Sequence, residues 1–329
     1  MRVLGMGNAL VDILAKLESD DSLEFMGLPK GSMQLINEDK LLKILDAIKI
    51  FDTFHATGGS AANAVCGLAQ LGIYAGFIGK TGPDFYGKFY AKDLIKNKVV
   101  PHLLEDNSAS GCAMAMISPD GERTFGTYLG AASNLQAEDL SADMFENYEY
   151  FHIEGYLVQN PALIRKACRL AKAAGCKISL DMASYNVVDA NLEFFRELLT
   201  DYTDIVFANE EEAYSYTGKE PEEAVQMLGE LCEIAIVKIG SKGSIIKRGD
   251  EVTIAKALPA KCLDTTGAGD LYAAGFLYGL IQNYSLNVCG QIGSLLAGNV
   301  IEIMGTKMEN KRWKKIKTTI KTITETKTN

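Results

Sequence analysis

Histidine is scarce in this chain, with 3 in 329 residues. His55, His102 and His152 stand far apart, with no HxH or HxxxH spacing. That argues against a zinc centre and against a Ser-His-Asp triad. The seven cysteines (Cys66, Cys112, Cys168, Cys176, Cys232, Cys262, Cys289) are odd in number and none forms a CxxC pair. They read as buried thiols in a reducing cytoplasm, not as a disulfide framework. No uninterrupted apolar run approaches the ~20 residues needed to cross a membrane. Residues 2–15 are apolar but broken by Asn8 and Asp12, with no basic leader before them, so no signal peptide is expected. Excess positive charge is also missing: the formal net charge is -9. A general nucleic-acid binder needs the opposite sign to displace counterions. The expectation is a cytoplasmic protein with no membrane and no nucleic-acid partner.

What is present is apolar sequence, 47% of residues, arranged as alternating short β-rich runs and helical patterns. Runs such as IAIVKI at 234–239 have no polar alternation, which predicts strands buried on both faces of a parallel sheet. The alternation predicts an α/β fold, doubly wound, with a mostly parallel central sheet and helices on both faces. Two segments break the rhythm, residues 12–36 and residues 108–130, the second with a PDG turn at Pro119–Gly121. They are expected to form a small β-rich lid; an extension of the main sheet is the alternative. The α/β body then takes residues 1–11, 37–107 and 131–310. Residues 311–329 are basic, with Trp313, Ile316, Ile320 and Ile323 at helical spacing. This predicts a terminal helix or tail whose apolar stripe docks on the body.

The most informative segment is Asp264-Thr265-Thr266-Gly267-Ala268-Gly269-Asp270, leading into the helical run LYAAGFLYGLI. Unpaired N–H groups of Gly267, Ala268 and Gly269 at a helix start form an anion hole, favoured by the helix dipole. Asp270 in the first turn is explicable as a stabilising charge. That does not account for the three small residues before it. Together they offer a base for a hydroxyl proton and fixed donors for phosphoryl oxygens, the requirements of phosphoryl transfer.

At the other end of the chain, Gly58-Gly59-Ser60 precedes a helical pattern. The glycines allow backbone to approach a ligand. Ser60 is also a helix cap, and Asn63 offers both donor and acceptor. Asn8 and Asp12 follow the first strand, and Asp12 can accept from two neighbouring hydroxyls; an Asx turn with a solvated carboxylate is the alternative. Asn209 to Glu212 reads as a capping box. Gly240-Ser241-Lys242-Gly243 follows a buried strand and by itself is an ordinary turn. Gly79-Lys80-Thr81 imitates the end of a P-loop, but Tyr74 stands where the first glycine belongs.

DTTGAGD resembles the signature of the ribokinase-like (PfkB) carbohydrate kinases. The resemblance runs to about residue 308: GGSAANAV at 58–65, then LAQLG and FIGKTGPDFYG, Asn209–Glu212 as an NxxE motif, and the GSKG loop at 240–243. It implies that Asp270 is the base and that Gly267, Ala268 and Gly269 are the anion hole. It implies that Asn8, Asp12, Gly58, Gly59, Ser60 and Asn63 bind the acceptor. On the nucleotide side it implies Asn209, Gly240, Ser241 and Gly243 for ATP, with Arg123 as a phosphate clamp and Asn299 near adenine. Glu212 would hold Mg2+ through water, and Asp264 with the Thr266 carbonyl would hold a monovalent cation such as K+. Within the family, GNALVDI at 7–13, GSMQLI at 31–36 and TYLGAASNL at 127–135 resemble the adenosine kinase branch. That implies a base pocket of Gln34, Leu129, Tyr156 and Tyr185, although both tyrosines also read as core residues. The implied reaction is ATP-dependent phosphorylation of the adenosine 5′-hydroxyl to AMP, by a monomer or homodimer. A sugar kinase for fructose, ribose or a keto-deoxy sugar acid is the alternative, and a non-catalytic nucleotide sensor a third.

Overall fold

The computed structural model describes residues 1–325. Along the chain its strands are β1 (Arg2–Met6), β2 (Leu10–Lys16), β3 (Met33–Leu35), β4 (Thr53–Thr57), β5 (Tyr74–Thr81), β6 (Val99–Glu105) and β7 (Gly111–Ile117). Then follow β8 (Arg123–Tyr128), β9 (Tyr150–Glu154), β10 (Lys177–Asp181), β11 (Ile205–Asn209), β12 (Ile234–Lys238), β13 (Ser244–Arg248) and β14 (Glu251–Ala255). They form a nine-stranded sheet in the order β14-β13-β12-β11-β10-β9-β1-β5-β6 and a five-stranded sheet in the order β3-β8-β7-β2-β4. Pairing in the large sheet is parallel from β6 to β12 and antiparallel only at β12-β13 and β13-β14.

Parallel strands this apolar need cover on both sides. Alternate residues of β11 supply two separate cores: Ile205 and Phe207 pack into one, Val206 and Ala208 into the other. The chain leaves β1 in one direction through β5 and β6 and returns in the other through β9 to β12. The crevice at the carboxyl ends of β1 and β9 is therefore the topological switch point, where sheets of this kind bind ligands.

The small sheet branches off directly: β2 begins at Leu10, just after β1 ends at Met6. It carries Asp12 over the switch point. It also recruits β4, at 53–57, from a stretch expected in the α/β body, because TFHAT pairs antiparallel with β2 from Val11↔Thr57 to Ala15↔Thr53. The edge strand β6 holds Pro101, which obscures it in the sequence; proline is tolerated at an edge, where one face of the ladder needs no donor.

Residues Asn310–Glu325 form a terminal helix that buries Trp313, Ile316 and Ile320. Of the stretch 311–329 expected as a helix or tail, residues 326–329 lie outside the described residues. Ile316 is 0% exposed. Ile316→Ala is expected to cost about 2–4 kcal/mol of stability, read from denaturant unfolding, through lost burial and the cavity left behind. No helix among the described residues is long and apolar enough to cross a membrane.

Candidate active site

Three strand ends, at Asp181, Asn209 and Lys238, and three helix starts converge on one cleft of about 1100 Å3. The helix Ala268–Ile281 begins at Gly267, which holds φ +75. A side chain there would be strained, and its Cβ would meet Thr306 Cγ2 at 2.6 Å. Asp270 lies in the first turn of this helix. Its Oδ1 accepts from Ser60 Oγ at 2.7 Å and its Oδ2 from Asn63 Nδ2 at 2.9 Å. Both donors sit at the start of the helix Ser60–Leu71. Two motifs about 200 residues apart in sequence thus share one carboxylate. Burial pushes the Asp270 carboxyl up to about 6, while the Asn63 and Ser60 bonds pull it down. Asp12 faces the same cleft and is pushed up to about 7, mainly by burial, with Lys307 pulling down and Asp270 pushing up. A carboxylate held near 6 and ionised at neutral pH has the right proton affinity for a base.

The cleft brings together Asp12, Gly59, Ser60, Asn63, Tyr156, Asn209, Glu212, Gly240, Ser241, Gly243, Thr266, Gly267, Ala268, Gly269 and Asp270. Several expectations change. Asn8 does not line the cleft: its backbone N–H and Nδ2 both donate to Glu154 Oε1, at 2.8 and 2.7 Å. The Gly58 carbonyl accepts from Tyr90 OH at 3.0 Å, so Gly58 supports the loop from behind. The Ala268 N–H is turned back onto the Thr265 carbonyl at 3.1 Å. Of the three amides expected to form an anion hole, that leaves those of Gly267 and Gly269 with no loop partner among the described residues.

Arg123 is bound to the same loop from the small sheet. It forms an ion pair with Asp264 and donates to Thr266 Oγ1 at 3.1 Å. Asp264 also accepts from the N–H groups of Thr266 (2.8 Å) and Gly305 (2.6 Å). Arg123 is therefore not a free phosphate clamp. Asp264, expected beside a monovalent cation, is occupied here by a guanidinium and two amides. These partners hold its carboxyl below the usual range despite burial.

Of the four base-pocket residues, only Tyr156 lines the cleft, with its hydroxyl on the Ala183 carbonyl at 3.3 Å. Gln34 lies on β3 and accepts from Lys40 Nζ at 3.4 Å. Leu129 precedes the short turn Gly130–Asn134, and Tyr185 opens the short helix Tyr185–Ala190. Asn299 donates back to the Leu295 carbonyl at 2.8 Å; its neighbours Ala297 and Gly298 line the cleft instead.

On the nucleotide side, the capping box at Asn209 is complete. Glu212 accepts from Asn209 N–H and Nδ2, both at 2.7 Å, and its own N–H donates to Asn209 Oδ1 at 2.8 Å. Burial pushes Glu212 up to about 7, with Lys238 pulling down. Leu258, Pro259, Ala260 and Ile301 add an apolar slot beside the 240–243 loop. Sequence reasoning missed that slot because it lies in a stretch without regular structure.

It also missed three residues that end strands. Glu154, at the end of β9, accepts from Asn8 and, through Oε2, from Ala61 N–H at 3.0 Å. Burial pushes it to about 7 against the pull of those donors. Asp181 ends β10 and Lys238 ends β12, with Lys238 Nζ 3.0 Å from Asp181 Oδ2. The available signal was a charged residue closing a short strand, at the sheet end where ligands bind.

A family model described as pfkB family carbohydrate kinase matches residues 36–312. The solved structure of an adenosine kinase from Sinorhizobium meliloti superposes with a TM-score of 0.84 at 35% identity, covering 96% of this chain and 98% of that one. A probable sugar kinase from Rhizobium etli superposes with a TM-score of 0.85 at 33% identity, covering 96% and 98%. A 5-dehydro-2-deoxygluconokinase from Bacillus subtilis is 30% identical over 260 residues, 74% of this chain and 80% of that protein.

Proposed function

The chain belongs to the pfkB family of carbohydrate kinases, phosphotransferases with a hydroxyl acceptor, and from that premise we propose that its acceptor is adenosine and its donor ATP with Mg2+. The observation that carries the kinase chemistry is the Asp270 carboxylate, held by Ser60 and Asn63 beside the Gly267 and Gly269 amides in a cleft shared with Asp12. Asp270 takes the proton of the acceptor hydroxyl as its oxygen bonds to the γ-phosphorus. The bond to the β,γ-bridging oxygen breaks and ADP leaves. Charge on the phosphoryl oxygens faces the helix start, where unpaired amides and the dipole stabilise it. Asp12 accepts from ribose hydroxyls.

Among the described residues no three His, Cys, Asp or Glu side chains cluster to cage a metal. Instead Asp181, Glu210, Glu211 and Glu212 line one wall. This donor set fits Mg2+, which keeps most of its water and leans on one or two carboxylates and the substrate phosphates. Glu212, with both oxygens already bonded to Asn209, would hold it through water. When bound, the ion neutralises phosphate charge. The nucleotide base fits the slot of Leu258, Pro259, Ala260 and Ile301, with the 240–243 loop at the phosphates.

The likeness to the Sinorhizobium adenosine kinase spans nearly all of both chains, as does that to the Rhizobium sugar kinase, so the choice of adenosine rests on the cleft itself. Tyr156 presents an aromatic ring to the cleft, 44% exposed and able to stack on a purine. The expected result of a coupled assay is ADP release with adenosine, and none above background with fructose, ribose or a keto-deoxy sugar acid. Turnover of a hexose with no turnover of adenosine would overturn this choice.

A further inference from the structure

Resting on the kinase reading above, we propose that Lys238 is a further catalytic residue: its ammonium leaves Asp181 to bind the transferring phosphoryl group over Gly269. Among the described residues, Lys238 is the one basic side chain lining the cleft, facing Asp12, Asp181, Glu210, Glu211, Glu212 and Asp270. Among the described residues that line this acidic space, a polyphosphate meets one cation.

The position of that cation is set by a missing side chain. Gly269 lies inside a helix with ordinary backbone angles, so conformation does not require glycine there. A Cβ at Gly269 would come within 3.2 Å of Lys238 Nζ. The ammonium therefore lies beside Gly269, whose N–H is one of the two amides left without a loop partner among the described residues.

Of the pair, Asp181 is the fixed member and Lys238 the movable one. Asp181 Oδ1 accepts from the Ala183 N–H at 3.0 Å, and Ala183 is locked in the left-handed region at φ +69. Lys238 has three donors on a flexible stem, and the hydrogen bond to Asp181 is the one its ammonium makes among the described residues. Its side chain is 15% exposed, so the remaining donors face a largely dehydrated site where a charge-assisted bond is strong. Lys238 stays protonated throughout; it donates to oxygens that gain charge in the transition state and moves no proton.

The test uses the full chain and magnesium ADP, with and without aluminium fluoride, which mimics the transferring phosphoryl group. In Lys238→Met, turnover is expected to fall by at least about 10²-fold. Affinity for ADP should change only a few-fold, while the extra affinity conferred by aluminium fluoride falls at least about tenfold, the mark of a contact made only in the transition state. If the unpaired buried Asp181 destabilises that variant, the same ratio is read in Lys238→Met/Asp181→Asn. An aluminium fluoride enhancement equal to wild type in either folded variant, or a turnover within about threefold of wild type in Lys238→Met, would refute the proposal and leave Lys238 as the structural counter-ion of Asp181. A wild-type chain that binds no magnesium ADP would instead overturn the kinase reading itself, and this proposal with it.

Discussion

Replacing Asp270 by asparagine is expected to lower kcat by about 10²- to 10⁴-fold, with KM for either substrate moving only a few-fold. Asparagine keeps the shape and one acceptor for Ser60 Oγ but cannot take a proton at neutral pH. The helix start should survive, so the melting temperature should stay near that of the wild type. The pH profile supplies a second signature. A base works only when ionised, and burial raises Asp270 to about 6. The wild-type rate should therefore fall as the medium is acidified through that value, and the residual rate of Asp270→Asn should lose this limb. An Asp270→Asn variant as fast as the wild type would remove Asp270 from the chemistry.

Glu154→Ala should be the most damaging single change to stability, at about 3–5 kcal/mol in denaturant unfolding. Its carboxylate, 1% exposed, accepts from Asn8 N–H, Asn8 Nδ2 and Ala61 N–H. Truncation leaves three buried donors without a partner, each costing about 1–3 kcal/mol where water cannot reach. Because Ala61 lies in the first turn of the helix that carries Ser60 and Asn63, the folded fraction should also lose turnover. The sign of the pH dependence follows from burial raising Glu154 from 4.5 to about 7. The folded state binds the proton more tightly than the unfolded one. Its contribution is full below the unfolded value and is lost as pH rises through about 7. Asp12 and Glu212, also raised to about 7, act in the same direction. The unliganded chain should therefore melt at a lower temperature near pH 8 than near pH 5. An unchanged melting temperature in Glu154→Ala would show that those donors find other partners.

The parallel sheet was legible where a strand is a near-continuous apolar run: the run at 234–239 contains β12, Ile234–Lys238. Strands of mixed character were not. β4 has exposed Thr53 and Phe54, and β6 contains a proline, so neither announces itself without a partner strand to complete it. In the candidate site, Asp270, Ser60 and Asn63 stood out because each sits in a motif whose small residues need explaining. Arg123 and Asp264 were visible as charged residues, but not as partners of one another. An ion pair between the small sheet and the anion loop depends on how the sheets are set together. Asn8 was visible as a polar group after β1, but whether it faces ligand or Glu154 depends on the register of β1 against β9.

Local chemistry, written in the chain itself, determined a doubly wound α/β fold with a carboxylate at a glycine-rich helix start, because periodicity and helix-end chemistry act over a few residues; the ordered motifs carried the resemblance to a kinase family. Tertiary structure alone decided that Glu154, Asp181 and Lys238 join that carboxylate. Each carries its charge at the carboxyl end of its own strand, and only the parallel order β12-β11-β10-β9-β1 brings those ends to a common edge. In the unfolded chain these charges would be solvated separately; buried at one edge of the sheet they must satisfy one another, and the same burial raises the carboxyls of Asp12, Glu154, Glu212 and Asp270.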